Sequence, residues 1–218
     1  MSFRTTLFAS MVVYAAASTA LADHVTITFS RINKPDNAPQ NPAAQLKVIM
    51  SDAGSNQIKF RFLNDVSNGI AASICDVYFA DGPFLGISTI NASAGVSFSQ
   101  GAAPGHLPGG NLLNPEFQTT IGFSADSNPP VAPNGVNSSA EWLDISFDLI
   151  NGKTFNDSVA ALQSGALRVG LRAQAIGASG GSDSFYNTGL TLIPLPGTAA
   201  MGFACLGGLA AVRRRRAV

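Results

Sequence analysis

Leu143-Asp144-Ile145-Ser146-Phe147-Asp148-Leu149 alternates without a break. Odd positions carry large apolar side chains and even positions carry polar ones. Successive side chains on a strand point to opposite faces, so the stretch predicts a β-strand with one dry face and one wet face. Leu167, Val169, Leu171 and Ala173 repeat the pattern, with Arg168 and Arg172 opposite. Val25 to Phe29, Leu46 to Met50, Gln57 to Leu63 and Phe117 to Phe123 read the same way. Ser51-Asp52-Ala53-Gly54 lies between two of these runs and predicts a hairpin. Ser73 to Phe79, the turn residues Asp81-Gly82 and Phe84 to Ile90 predict a second one.

Half-buried strands of this kind belong to antiparallel sheets with one wet face. One helix stands out: Thr154 or Asn156 caps a turn running from Asp157 to Gln163, and Gly165 closes it. The Gly- and Pro-rich stretches Ser99 to Pro115 and Asp126 to Ser139 read as long loops. The expected fold is all-β: a single antiparallel β-sandwich, jelly-roll or immunoglobulin-like, with one short helix, spanning residues 23–190. Asp144 and Asp148 on one strand, and Arg168 and Arg172 on a later one, share a spacing that would let them face each other if the strands are neighbours.

The chain of 218 residues has a formal charge of zero, but the charges are unevenly placed. All 13 acidic residues fall between Asp23 and Asp183, while Arg4 and Arg213 to Arg216 lie outside that span. The body keeps 8 basic against 13 acidic residues, a charge of −5. It offers no basic stripe to neutralise phosphates, so nucleic acid is not an expected partner. Cys75 lies near Ile74 and Val77 on a predicted strand, and Cys205 lies in a separate C-terminal apolar segment, so no disulfide is expected.

The residues that carry chemistry are sparse. Gly177-Ala178-Ser179-Gly180-Gly181 has the spacing of a nucleophile elbow, but no helix start follows it and both histidines, His24 and His106, precede it. A flexible loop is the expected reading. Asp126, Asn128, Asn134 and Asp183 are oxygen ligands in loops, so calcium stays open, although no loop has the order of a calcium-binding hand. Glu116 and Glu141 are the only glutamates that a paired-carboxylate glycosidase could use. Trp142, Tyr78 and Tyr186 are the aromatics that could stack on a sugar ring, with Trp142 expected to point outward. No resident cofactor or metal is expected, and the body is expected to be non-enzymatic.

The two ends are more specific. Arg4, an apolar run from Leu7 to Ala17 and Ala20-Leu21-Ala22 have the order of a secretory signal, residues 1–22, cut before Asp23. At the other end, residues 191–218 contain Pro194-Leu195-Pro196, an uncharged stretch from Gly197 to Val212, and Arg213-Arg214-Arg215-Arg216. Sixteen helical residues span about 24 Å, short of a hydrocarbon core of about 30 Å. The arginines would hold their end on the cytoplasmic side and leave the body outside.

This tail resembles the PEP-CTERM sorting signal in its V-P-L-P-A variant. Leu195 stands where the P-E-P form has Glu, and Gly197 where Ala is usual. The resemblance is confined to about the last 25 residues. It implies recognition and cleavage by an exosortase, a transient hold in the inner membrane of a Gram-negative bacterium, and delivery to the cell surface or a polysaccharide-rich matrix. Leu195-Pro196-Gly197-Thr198-Ala199 also lies one residue from the L-P-x-T-G sortase signal, and a permanent tail anchor is a third reading. The resulting expectation is an exported structural or adhesive protein of a biofilm, with extracellular polysaccharide as a partner class. A carbohydrate-binding module and a polysaccharide hydrolase are the alternatives.

Overall fold

Alternation becomes structure over most of the body. The computed structural model describes residues 24–80 and 84–193. The processing residues Ala20, Ala22, Asp23, Pro194, Leu195, Pro196 and Arg213 to Arg216 lie outside the described residues, as do Asp81, Gly82 and Cys205. The strands are β1 (His24–Arg31), β2 (Leu46–Gly54), β3 (Gln57–Asn64), β4 (Ser73–Ala80), β5 (Phe84–Ala92), β6 (Phe98–Gln100) and β7 (Ser124–Ser127). A four-residue helix, α1 (Val131–Asn134), precedes β8 (Leu143–Leu149), and α2 (Phe155–Ser164) precedes β9 (Arg168–Ile176) and β10 (Gly181–Ile193).

The ten strands form one hydrogen-bonded sheet in the order β5-β8-β3-β2-β1-β10-β9-β4-β7-β6. Every neighbouring pair is antiparallel. The sheet bends over itself into a nearly closed, barrel-like wrap, which replaces the two separate sheets expected from sequence. Phe60 on β3 and Phe79 on β4 stand five strands apart in that order, yet their rings meet edge to face at 5.1 Å. Phe147 on β8 lies at the centre of this aromatic core, 4.8 Å from both Phe79 and Phe84, 5.5 Å from Phe123 and 5.9 Å from Phe60.

The β2–β3 hairpin forms as the sequence predicts, with Leu46 opposite Asn64 and Gly54 opposite Gln57. Its turn sits three residues later than Asp52-Ala53, at Ser55 and Asn56, whose φ values of 50° and 62° suit the right-handed twist of a two-residue hairpin. The α2 helix begins at the Thr154 cap. The Asp157 N–H donates to Thr154 Oγ1 at 3.3 Å, and the Thr154 N–H donates to Asp157 Oδ2 at 2.8 Å. Gly165 then ends the helix with φ 76°.

Three expectations are corrected. β4 and β5 do not form a hairpin: β4 lies between β9 and β7, while β5 pairs with β8. Nearly every residue of β4 is buried, so both of its edges and both of its faces are covered. Phe117 to Phe123 is not a strand, although Phe117 and Thr119 are buried and Gln118 is exposed. There the alternation reflects a loop lying flat on the sheet.

The expected acid–base ladder between β8 and β9 does not exist, because those strands lie five places apart in the sheet. Asp144 instead faces Arg61 on β3, which holds it through Nε–Oδ1 and Nη2–Oδ2 contacts of 2.7 Å each, and Lys59 adds a contact of 3.6 Å. Asp148 accepts from Gln57 Nε2 at 2.6 Å.

A buried carboxylate row beneath a loop

Residues directly opposite in antiparallel strands point to the same face. Two rows therefore cross the outer face of the half-sheet β7-β4-β9-β10. The first runs Asp126, Asp76, Arg172, Ser184. The second runs Ser124, Tyr78, Gly170, Tyr186.

The loop from Gly101 to Thr119 lies over the second row. Tyr78 donates its hydroxyl to Pro104 O at 3.1 Å, the Ala102 N–H reaches Ser124 Oγ at 3.1 Å, and Arg168 Nη1 holds the carbonyls of Pro115 and Glu116 at 2.9 and 3.0 Å. Leu107 and Phe117 join Ile32 and Tyr78 in a small apolar cluster of their own. Gly170 makes this approach possible: a Cβ there would meet Leu107 Cδ2 at 2.7 Å. The outer face that alternation predicts to be wet is largely covered here.

Asp76, in the row beside that of Tyr78, is buried, with 1% of its surface exposed. Among the described residues, no N–H or O–H donates a hydrogen bond to either carboxyl oxygen. Among the described residues its one cationic neighbour is Arg172, whose Nη1 stands 3.6 Å from Oδ2, and on the other side it faces the half-buried Asp126. Burial above all, and then Asp126, push the Asp76 carboxyl up to about 7 against the opposing pull of Arg172. The Tyr78 hydroxyl beside it is pushed up too, chiefly by burial. Ser184 Oγ, at the other end of the row, is also buried without a partner. Sequence reading passes over Asp76, though the signal is present: it is the one charged residue within the otherwise apolar Ile74-Cys75-Asp76-Val77-Tyr78-Phe79.

The residues singled out from sequence are dispersed. Asn128 and Asn134 brace the loop around α1, Asn128 through Ser97 and Ser99 and Asn134 through the carbonyls of Asn128 and Pro129. Asp183 is buried against Arg31, Asn37 and the Ala38 N–H. Among the described residues, no three His, Cys, Asp or Glu side chains gather in a metal-holding group. Glu141 accepts the N–H groups of Asn137 and Ser138, and Glu116 is exposed. Gly177 to Gly180 is the turn into β10, so Ser179 is followed by a strand and not by a helix.

The aromatics are not coplanar partners. Tyr78 is fully buried, while Trp142 is half-exposed with the Arg61 guanidinium 4.5 Å above its ring. Tyr186 lines a different place, an open cleft of about 560 Å³ that it shares with Asn114, Gln163, Arg168 and Asn187.

Cys75 is completely buried, and its thiol contacts Ser73 O at 3.4 Å. Burial pushes the thiol up from its ordinary value, which keeps the reactive thiolate scarce. A native-state thiol titration of the reduced protein is expected to leave Cys75 unlabelled until denaturant is added.

Among the described residues, no helix is long and apolar enough to cross a membrane. Compared with known proteins, the chain matches no protein-family model, and no curated protein or solved structure is significantly similar to it.

Proposed function

We propose that the chain is an exported surface or matrix protein whose β body is delivered by a cleavable leader and an exosortase-type tail signal, and that the body acts by binding or scaffolding and not by catalysis. The tail residues Pro194, Leu195, Pro196 and Arg213 to Arg216 carry the sorting half of this reading, and Ala20, Ala22 and Asp23 carry the export half.

One structural observation supports it above the others. The first and last described residues of the sheet are register partners, His24 opposite Ile193. A cut before Asp23 and a cut after Ile193 would therefore remove both signals and leave every described strand intact. The cleft beside Tyr186, with its planar amides and single guanidinium, favours polysaccharide as the bound class.

Intact-mass analysis of the protein recovered from its own cells tests the reading. The expected mass begins at Asp23 and lacks Arg213 to Arg216. Deleting those four arginines is expected to leave the protein mis-sorted with its tail uncut. A native protein that retains Met1 and the arginines removes the basis for the proposal.

A further inference from the structure

The edge formed by β7 and β6 joins the sheet through short ladders. β7 meets β4 through three residue pairs, Asp76–Asp126, Val77–Ala125 and Tyr78–Ser124, and β6 meets β7 through three more. Loop contacts add to this joint: the Phe79 N–H donates to Phe123 O, the Thr120 N–H to Phe79 O, and the Gly101 N–H to Ser124 O. One of the three β4–β7 pairs is thus two facing carboxyl groups. Two carboxylates face to face in a buried site repel each other, and Arg172 supplies one positive charge from one side only.

A shared proton resolves this conflict. It makes one carboxyl a donor and the other an acceptor, and it gives the otherwise orphaned Asp76 oxygens a partner. A calcium ion is the rival bridge. It needs six to eight oxygens, and the guanidinium 3.6 Å from Asp76 already opposes a second cation.

We propose that Asp76 and Asp126 form a proton-held latch: a proton shared between the two carboxyls fastens β7, with β6 and the Gly101–Thr119 loop attached, to β4, and its loss to water releases this edge. The other titratable or charged groups around Asp76 are Cys75 and Tyr78 on its own strand and Arg172 on β9. Burial raises both the thiol and the phenol, so neither supplies the switch near neutral pH.

The sign follows from where the proton is bound. The closed state holds it up to about pH 7, whereas a carboxyl in the opened edge releases it near the ordinary value of 3.8. The closed state therefore binds more protons between these limits, and the latch weakens as pH rises through that window and levels off above about 7.

Hydrogen exchange of the full chain in detergent, followed by mass spectrometry and corrected for the intrinsic pH dependence of exchange, tests this. Protection of peptides within residues 98–127 is expected to fall about tenfold between pH 6 and pH 8, while the β2–β3 hairpin stays constant. Asp126→Asn removes the repelling charge at a half-exposed position while burial still acts on Asp76, so it is expected to reduce the fall clearly without removing it. Asp76→Asn removes the buried carboxyl itself and is expected to abolish the fall if it folds, and Asp126→Asn decides the matter if it does not. Exchange of residues 98–127 that ignores pH in the native protein, or whose dependence is undiminished in Asp126→Asn, overturns the latch. Restoration of protection at pH 8 by millimolar calcium also overturns it, because the bridge is then a metal and not a proton.

Discussion

Replacing Phe147 with alanine is expected to destabilise the body by about 3–5 kcal/mol, which for a domain of this size lowers the melting temperature by about 6–20 °C. The ring lies within 6 Å of four others, drawn from β3, β4, β5 and the residue that leads into β7. Its removal leaves a void lined by rings from both walls of the wrapped sheet. The loss is therefore the transfer free energy of one phenyl group together with the contacts that hold the walls together. Phe147→Leu refills most of that volume and is expected to cost under about 1.5–2 kcal/mol. Thermal unfolding of the two variants against the native protein checks both values. Equal losses would show that the walls close around the void and that the cluster is not central.

Asp183→Ala is expected to cost about 3 kcal/mol and to free the segment from Ile32 to Ala43. The carboxylate accepts from Asn37 Nδ2 at 2.6 Å and from the Ala38 N–H at 3.1 Å, and Arg31 Nη1 stands 3.5 Å away. Without it, the Ala38 N–H is left buried without a partner and the guanidinium is left half-sheltered without its counter-charge. Limited proteolysis reads the local effect, with new cleavage expected near Lys34, and denaturant unfolding reads the global one. Asp183→Asn keeps the shape and one acceptor, so it is expected to cost roughly half as much. If the alanine variant is as stable and as protease-resistant as the native protein, Asp183 does not organise the loop.

These effects also mark how far the sequence could be read. Strict alternation placed Leu143, Ile145, Phe147 and Leu149 on the inner face, and all four are buried. The Thr154 cap and Gly165 stop bounded α2 for local reasons that need no partner. What alternation cannot supply is adjacency. It assigns Asp144 and Arg168 to polar faces, but the fold sets β8 beside β3, so Asp144 meets Arg61, and Arg168 turns to the carbonyls of Pro115 and Glu116.

β10 escaped notice because Ser182 to Thr191 mixes serine, asparagine, threonine and glycine with only scattered apolar residues, and its central place between β1 and β9 decides its state. The carboxylate row was hidden for a related reason. Asp76 is a conspicuous residue only once the Gly101–Thr119 loop has turned an outer face into an inner one, and nothing local to β4 announces that cover.

The pairing of His24 with Ile193 sets the mechanical character of the body. Tension applied between its two ends would part β1 from β10 one residue pair at a time, like a zip, which needs little force. Tension applied through Ile193 alone and resisted at the far end of β1, near Arg31, would instead strain all eight β1–β10 pairs together, because their hydrogen bonds lie across the direction of pull. A body tethered by its C-terminal end and gripped by a partner at the opposite pole would thus be strong, while the same sheet spliced in series between two tethers would give way first.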